Sequence, residues 1–584
     1  MRATPIIRLY LSFVVLIFFD WFGLVSLVAA QPPILNQARF SPVEASVEAK
    51  NGMVVTNEAI ATQVGVEVLK QGGNAIDAAV TIGFVMAVTY PRAGNIGGGG
   101  FMLIYSPKTT QVIAIDYRET APALAHKTMF LDKQMRVDKK LSRFSHLSAG
   151  VPGTVAGLAL ALEQYGTLSL AQALAPAIKL AEKGFVVTPG FSRDIKKFAG
   201  LKQRPASQAI FFKPNGCFYE AGDVFVQQDL ANTLKAIAKQ GIDAFYRGDI
   251  AKLIVKEMAT HGGLIRKSDL ANYQPVIRQP VHGTYRGYDI YSMSPPSSGG
   301  VHIVQILNML EKDDIASLGH NSAATIHLMS ETMKRAYADR SEYLGDPDFV
   351  NVPIKGLTSK KYAAQLRAQI DPFKASTSLD ILPGTPPGYE SDETTHYSVV
   401  DKQGYAVSNT YTLNFSFGSG IVVPGAGFLL NNEMDDFSAK PGVPNAYGLI
   451  GGAANAIEPN KRMLSSMSPM IVLKKGKAFL ITGSPGGSRI ITTTLQVIMN
   501  VIDHQQPIHE AINAARIHHQ WLPDELRIED GLSLETRKCL TEMGHKIVVK
   551  KPMGAASSIR IDQERGIYYG VADPRRTTGL ALGF

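Results

Sequence analysis

Residues 393–398 read Glu-Thr-Thr-His-Tyr-Ser. Thr394 follows a polar stretch rich in Pro and Gly, Leu382 to Asp392, and opens an alternating run to Val400 that reads as a strand. If the Glu393–Thr394 bond is cut, Thr394 carries a free α-amine beside its own hydroxyl. A nucleophile and its general base then sit on one residue. An α-amine titrates at about 7.7–8.0, where a base works well at neutral pH. On these six residues alone, β-propensity at a strand start explains the Thr-Thr pair more simply.

Other constellations carry partial signals. Gly483-Ser484-Pro485-Gly486-Gly487-Ser488-Arg489 links a strand pattern to a helix pattern. Glycines there let backbone N–H groups crowd a negative atom at a helix N-terminus, as an oxyanion hole requires. The spacing is not that of a P-loop. Asp116-Tyr117-Arg118-Glu119 ends a strand, where Arg118 is able to grip a carboxylate through two parallel bonds, or to form a surface ion pair with Glu119 or Asp116. Asn431 to Asp436 sets acids beside amides, a patch for an ammonium or a hard cation, without calcium-loop spacing. Arg462 to Pro469 places Ser465, Ser466 and Ser468 before a strand, which turn chemistry also explains. His518-His519 has no further ligand at helpful spacing, so no metal is assigned. His396 is not needed as a base by a threonine that supplies its own. Gly97 to Gly100 follows a helix rather than a strand, which argues against dinucleotide binding.

Composition bounds the class. Arg2 and Arg8 precede an apolar run, Leu9 to Phe19, and Val28-Ala29-Ala30 is a small-residue cleavage pattern, so residues 1–30 read as a secretory signal peptide. The rival for this segment is an uncleaved membrane anchor. The net charge of +9 is spread along the chain without a basic stripe, which argues against nucleic acid as a partner. Cys217 and Cys539 are the only cysteines. They are too few for a structural zinc site and leave a single disulfide open.

The periodicity predicts helices over 57–71 and 74–90, two more within 155–184, and others over 228–260 and 321–343. Strands are predicted near 101–106, 111–117, 394–402, 405–413, 469–474, 477–482, 525–529, 545–550, 557–562 and 566–572. Pro295 to Gly300 reads as a break, and 374–393 as the best linker. Helices flanking antiparallel strands give a layered α+β fold.

The joint order of these motifs resembles the γ-glutamyltranspeptidase family. It rests on Thr394 to Asp401, Tyr411-Thr412-Leu413-Asn414, Asn432 to Phe437, Leu464 to Pro469 and Gly483 to Arg489. In the first half it rests on Gly72 to Ala79, Asp116 to Glu119, Gly150 to Thr154, Pro295 to Gly300 and Tyr337 to Arg340. The likeness runs from about residue 45 to the C-terminus. It implies an N-terminal-nucleophile hydrolase fold, a four-layer αββα sandwich built jointly by a large subunit, 31–393, and a small one, 394–584, after self-cleavage before Thr394. It implies Thr394 as nucleophile, Thr412 as support for its hydroxyl, and Gly486 and Gly487 as the oxyanion hole. Arg118, Ser465 and Ser466 would hold the donor α-carboxylate. Asn414, Glu433 and Asp436 would hold its α-ammonium, with an extra charge where related bacterial members carry Gln in place of Glu433. That extra charge would tighten ammonium binding, or raise a carboxyl pKa by like-charge coupling with Asp436. Pro441 to Gly448 resembles a lid loop, with Tyr447 closing over the donor. Implied partners are glutathione, other γ-glutamyl compounds and amino-acid or dipeptide acceptors, with no cofactor, in the periplasm or outside the cell. The alternatives are a glutaryl or cephalosporin acylase of the same fold and an unprocessed, inactive binding protein.

Overall fold

The computed structural model describes residues 41–384, 395–446 and 448–584. The leader, Glu393, Thr394 and Tyr447 fall outside the described residues. No described helix is long and apolar enough to cross a membrane.

Two seven-stranded antiparallel sheets form the centre. The first runs Leu580–Gly583, Gly52–Thr56, Thr395–Asp401, Ala406–Thr412, Gly99–Ser106, Gln111–Asp116, Val276–Arg278. The second runs Val47–Ala49, Ile567–Ala572, Ser557–Asp562, Lys477–Thr482, Met470–Lys474, Tyr288–Ser292, Val281–Tyr285. Successive side chains in a strand point to opposite faces, and the burial follows that alternation. Met53 and Val55 join Phe101, Leu103, Ile471, Ile481 and Ile559 in the apolar layer between the sheets. Val54, Met102, Ile104, Val399 and Val407 point the other way, into a helical layer. Val472 and Leu480 pack outward against helices on the far side of the second sheet. The four layers are therefore αββα, as the resemblance implied.

The helix Ala75–Thr89 is buried along its whole length, which its uniform apolarity predicts. Asn74 and Asp77 close a capping box at its start. Tyr397 and Tyr411, from neighbouring strands, donate hydroxyl hydrogen bonds to the Ala79 and Gly83 carbonyls, at 2.7 and 3.0 Å. This fixes the Thr395–Asp401 and Ala406–Thr412 hairpin against the helix. Its turn uses Gly404 at φ 87° and Asp401, whose Oδ1 accepts from the Gln403 and Tyr405 amides.

Most expected elements appear within a residue or two of their expected bounds. The 228–260 region divides into Gln228–Gln240, Asp243–Tyr246 and Asp249–Thr260. The strand Gly52–Thr56, the hairpin Val281–Ser292, the helix Gly299–Leu310 and the closing strand Leu580–Gly583 were not anticipated. Gly299 and Gly300 read as breakers, yet they open a helix because nothing larger fits. A Cβ on Gly299 would stand 2.0 Å from Ser468 Oγ, and one on Gly300 2.4 Å from the Met293 carbonyl. The disulfide left open by the sequence is not formed: Cys217 and Cys539 are both free thiols.

Gly97 to Gly100 also serves close approach rather than ligand binding. A Cβ on Gly98 would lie 1.9 Å from the Thr412 carbonyl oxygen. The Gly98 amide is held by Asn95 Oδ1 at 2.8 Å, and Asn95 Nδ2 donates to that same Thr412 carbonyl, also at 2.8 Å. Gly98→Ala must push the end of the Thr412 strand away. Overpacking of this kind costs about 1–3 kcal/mol, so the apparent melting temperature of the variant should fall by several degrees. An unchanged thermal midpoint would show that this contact is not tight.

Candidate active site

The Glu433–Asp436 turn is held by amides on either side of it. Asn431 Nδ2 donates to the Gly97 and Gly150 carbonyls, both at 2.8 Å, and its Oδ1 accepts from the Gly150 and Glu433 amides. Asn432 donates to the Arg143 carbonyl at 2.9 Å and accepts from the Phe415 amide. The amides that looked like ligands in the sequence therefore position the acids instead.

Arg118 leaves the end of the Gln111–Asp116 strand and is fully buried. Its Nη1 donates to Glu433 Oε2 at 2.7 Å, its Nη2 to Asp436 Oδ2 at 2.5 Å, and its Nε to the Met463 carbonyl at 3.1 Å. Glu119 Oε2 stands 3.6 Å from Nη1. The surface ion pair considered from sequence is thus a buried cluster. Asp116 belongs to a different group, paired with Arg278 at 2.7 Å. The sequence reading had set Arg118 and the acids on opposite sides of a ligand, whereas here they touch directly. A buried charge must be paired, and these are its nearest counterions.

The cluster holds more acid than base. One guanidinium faces Glu119, Glu433 and Asp436, all buried. Neither Glu119 oxygen has a hydrogen-bond partner among the described residues. Burial, and then the charge of Glu433, hold the Glu119 carboxyl well above the usual range. Burial raises Glu433 to about 7, against the opposing pull of Arg118 and of hydrogen bonds to Asp436 and Thr412. The sequence argument expected like-charge coupling with Asp436 to raise it, but desolvation is the cause and Asp436 acts the other way. Such a cluster takes up protons or a cation to balance its charge.

Ser465 and Ser466 follow directly on the carbonyls that receive Arg118. Ser465 Oγ accepts from the Met467 amide at 3.1 Å, and Ser466 Oγ lies 3.4 Å from Ser298 Oγ. Asn414, in the left-handed region at φ 72°, donates from Nδ2 to the Asn432 carbonyl at 3.0 Å. Its amide donates to Thr412 Oγ1 at 2.7 Å, and the Thr412 hydroxyl hydrogen is directed at the Glu433 carboxyl.

Thr395, Thr412, Asn414, Gly486, Arg489 and Arg576 border one cavity of about 290 Å3. Gly486 and Gly487 have φ of 139° and 68°, which turns the chain from the Lys477–Thr482 strand into the Arg489–Ile502 helix. Neither amide donates a hydrogen bond among the described residues. Two adjacent N–H groups at a helix start, beside a cavity, suit a developing negative charge. Ser488 braces the turn: its carbonyl accepts from the Tyr337 hydroxyl and its Oγ donates to Gln520 at 2.8 Å.

The histidines are structural. His396 is buried between Thr410 Oγ1 at 3.0 Å and Ser398 Oγ at 3.1 Å, and burial pushes it down to about 3. It is uncharged at neutral pH, with both ring nitrogens already engaged by hydroxyls. His518 meets Thr492 and Gln520, and His519 meets Asp524. Tyr447, the expected lid residue, is not among the described positions, but its neighbour Gly448 lies against Gln520, which accepts a hydrogen bond from Ser488 of the glycine turn. Sequence reasoning overlooked Glu119 as a member of the site. Its adjacency to Arg118 was the only signal, and burial is not readable from one residue. It also overlooked Arg489 and Arg576, which look like ordinary surface charge until the cavity brings them together.

The comparisons agree with this geometry. Residues 61–583 match the model of the Gamma-glutamyltranspeptidase family. The chain is 56% identical over 540 residues to the Glutathione hydrolase proenzyme of Escherichia coli (strain K12), covering 92% of this chain and 93% of that protein. Its structure is similar to that of a cephalosporin acylase from Bacillus halodurans, with a TM-score of 0.84 at 29% identity over 95% of this chain and 99% of the other. It is also similar to a Helicobacter pylori gamma-glutamyltranspeptidase chain, with a TM-score of 0.56 at 46% identity over 60% of this chain and 97% of the other. This chain is an enzyme with an N-terminal-nucleophile hydrolase fold and belongs to the γ-glutamyltranspeptidase family.

Proposed function

We propose that this enzyme cuts itself before Thr394 and then uses the Thr394 hydroxyl to cleave the γ-glutamyl amide of glutathione and related donors. The observation that carries the reading is the convergence of Thr395, Thr412, Asn414 and Gly486 on one cavity beside two undonated amides. Thr395, the chain neighbour of Thr394, borders this cavity, which supports Thr394 as the nucleophile. Thr394 Oγ attacks the γ-carbonyl while the Thr394 amine takes the proton. The oxyanion rests on the Gly486 and Gly487 amides. Each such donor is worth about 2.7–4 kcal/mol in related chemistry. The amine returns the proton to the leaving nitrogen, which for glutathione belongs to Cys-Gly. Water or an acceptor amine then opens the ester.

Arg118, Ser465 and Ser466 hold the α-carboxylate. Glu433, Asp436 and Asn414 hold the α-ammonium, which supplies the cation that the acid-rich cluster needs. A glutaryl donor lacks that ammonium, and the 56% identity to a glutathione hydrolase exceeds the 40% identity to an acylase proenzyme. Tyr447 closes over the donor. After cleavage the pieces stay together as a heterodimer of 31–393 and 394–584. Both sheets contain strands from each side of the cut, so neither piece has a complete core. Residues 1–30 direct the protein to the periplasm or beyond.

Thr394→Ala removes the attacking hydroxyl for both steps. On a denaturing gel it should run as one full-length band with no γ-glutamyl-anilide activity, while the wild type gives two. Two bands from the variant would mean that another group does the cutting.

Glu433 adds a pH dependence. Its folded pKa is raised to about 7, so the anionic form that binds ammonium prevails above that value and is lost below it. The donor KM should fall as pH rises from 6 to 8, and Glu433→Gln should raise KM about tenfold, the effect of one charge-assisted hydrogen bond. In the variant KM should lose this slope. A slope that survives in Glu433→Gln would assign it to another group.

A further inference from the structure

Three side chains able to ligate a metal meet outside the Arg118 cluster, where the Asp249–Thr260 helix ends. His146 Nε2 lies 2.8 Å from Glu257 Oε1, and His261 Nδ1 lies 3.2 Å from the same oxygen. The two imidazole rings stack with centroids 4.6 Å apart. Glu257 and His261 are four residues apart at the helix end, so they share one face. The chain then reverses at Gly262, whose φ is 73°. Gly263 passes so close to His146 that a Cβ there would stand 3.0 Å from the His146 Cβ. This reversal packs His146 against the end of the helix.

Charge is out of balance at this place. Glu257 sits in the last helical turn, where the negative end of the dipole opposes a carboxylate. No basic residue shares that turn. Among the described residues the ion-pair partners of Glu257 are the two histidines alone. Arg204 is near enough to feel the charge of Glu257, yet it donates to the Phe144 carbonyl. The His261 side chain is half exposed, so the group opens to solvent on one side.

We propose that His146, Glu257 and His261 bind a divalent transition-metal ion, zinc above all, with water completing the shell. Two imidazoles and a carboxylate suit such ions, whereas calcium and magnesium take shells of oxygen. The three ligand atoms lie within 4.8 Å of one another, and tetrahedral zinc holds its ligand atoms about 3.3–3.4 Å apart. The ion enters as the rings turn out of their stack and the hydrogen bond between His146 and Glu257 opens. A comparable group, His327, Glu331 and His545, is no rival, because Lys334, Arg335 and the Ser376 amide already occupy the Glu331 carboxylate. Bound zinc clamps the helix end to the segment that supports the acid turn: Ser142 Oγ donates to Asp435 Oδ1 at 2.6 Å, and the Arg143 carbonyl receives Asn432.

The test titrates the purified enzyme, without a tag and stripped by a chelator, with ZnCl2 in a calorimeter. One site of micromolar or tighter Kd is expected, and a hundredfold excess of zinc over Kd should raise the melting temperature by a few degrees. With Co2+ in place of zinc, visible d–d bands should appear without the near-ultraviolet band of a metal thiolate, which separates this group from Cys217 and Cys539. His261→Ala and Glu257→Gln should each weaken zinc by at least about 10–100-fold, the loss that removing a mere outer-shell partner causes. Cys217→Ser should leave Kd unchanged. Absence of a calorimetric site would overturn the proposal, as would a thiolate band or a Kd that neither variant moves. The zinc-free γ-glutamyl-anilide activity of each variant reports whether it has folded. If Glu257→Gln fails to fold, the half-exposed His261→Ala decides alone.

Discussion

The buried contact of Arg118 with Glu433 and Asp436 is the constraint on which the rest of the site depends. Its partners lie more than 300 positions apart in sequence, 315 and 318 residues from Arg118. In a dry interior, losing one partner leaves a charge that costs several kcal/mol. The contact therefore locks the end of the Gln111–Asp116 strand to the Glu433–Asp436 turn. The turn is in turn fixed by Asn431 and Asn432 to Gly97, Gly150 and Arg143. The cluster holds three buried carboxyls against one guanidinium, which sets it apart from a simple ion pair.

Strand pairing also joins the segments before and after position 394, so a chain cut there would remain one molecule. Thr395–Asp401 pairs with Gly52–Thr56 on one side, and Ala406–Thr412 pairs with Gly99–Ser106. In the second sheet Met470–Lys474 pairs with Tyr288–Ser292, and Ile567–Ala572 with Val47–Ala49. Breaking one peptide bond near 393 removes none of these ladders. The central strand Thr395–Asp401 is held on both sides by these ladders whether or not the chain is cut before it.

Much of this was legible in the sequence. The all-apolar helix, the hairpin turning at Gly404 and the glycine turn before Arg489 announce themselves by periodicity and by residues that tolerate special backbone angles. Gly299 and Gly300 misled, because glycine marks both a break and a close contact, and only Ser468 and Met293 in space tell them apart. The short edge strands Val47–Ala49 and Leu580–Gly583 carry too few residues to show a pattern. At the site, residue types gave the members but not their pairing. Whether Arg118 faces a ligand or its own acids depends on burial, and so does the titration of Glu433.

The account turns on which atom carries the γ-glutamyl group. Treating the processed enzyme with an electrophilic γ-glutamyl analogue and mapping the modified peptide by mass spectrometry reads this directly. The account predicts one adduct, on the side-chain oxygen of a Thr394 that is also the first residue of its fragment. An adduct on any other side chain, or on Thr394 within an uncut chain, would contradict it.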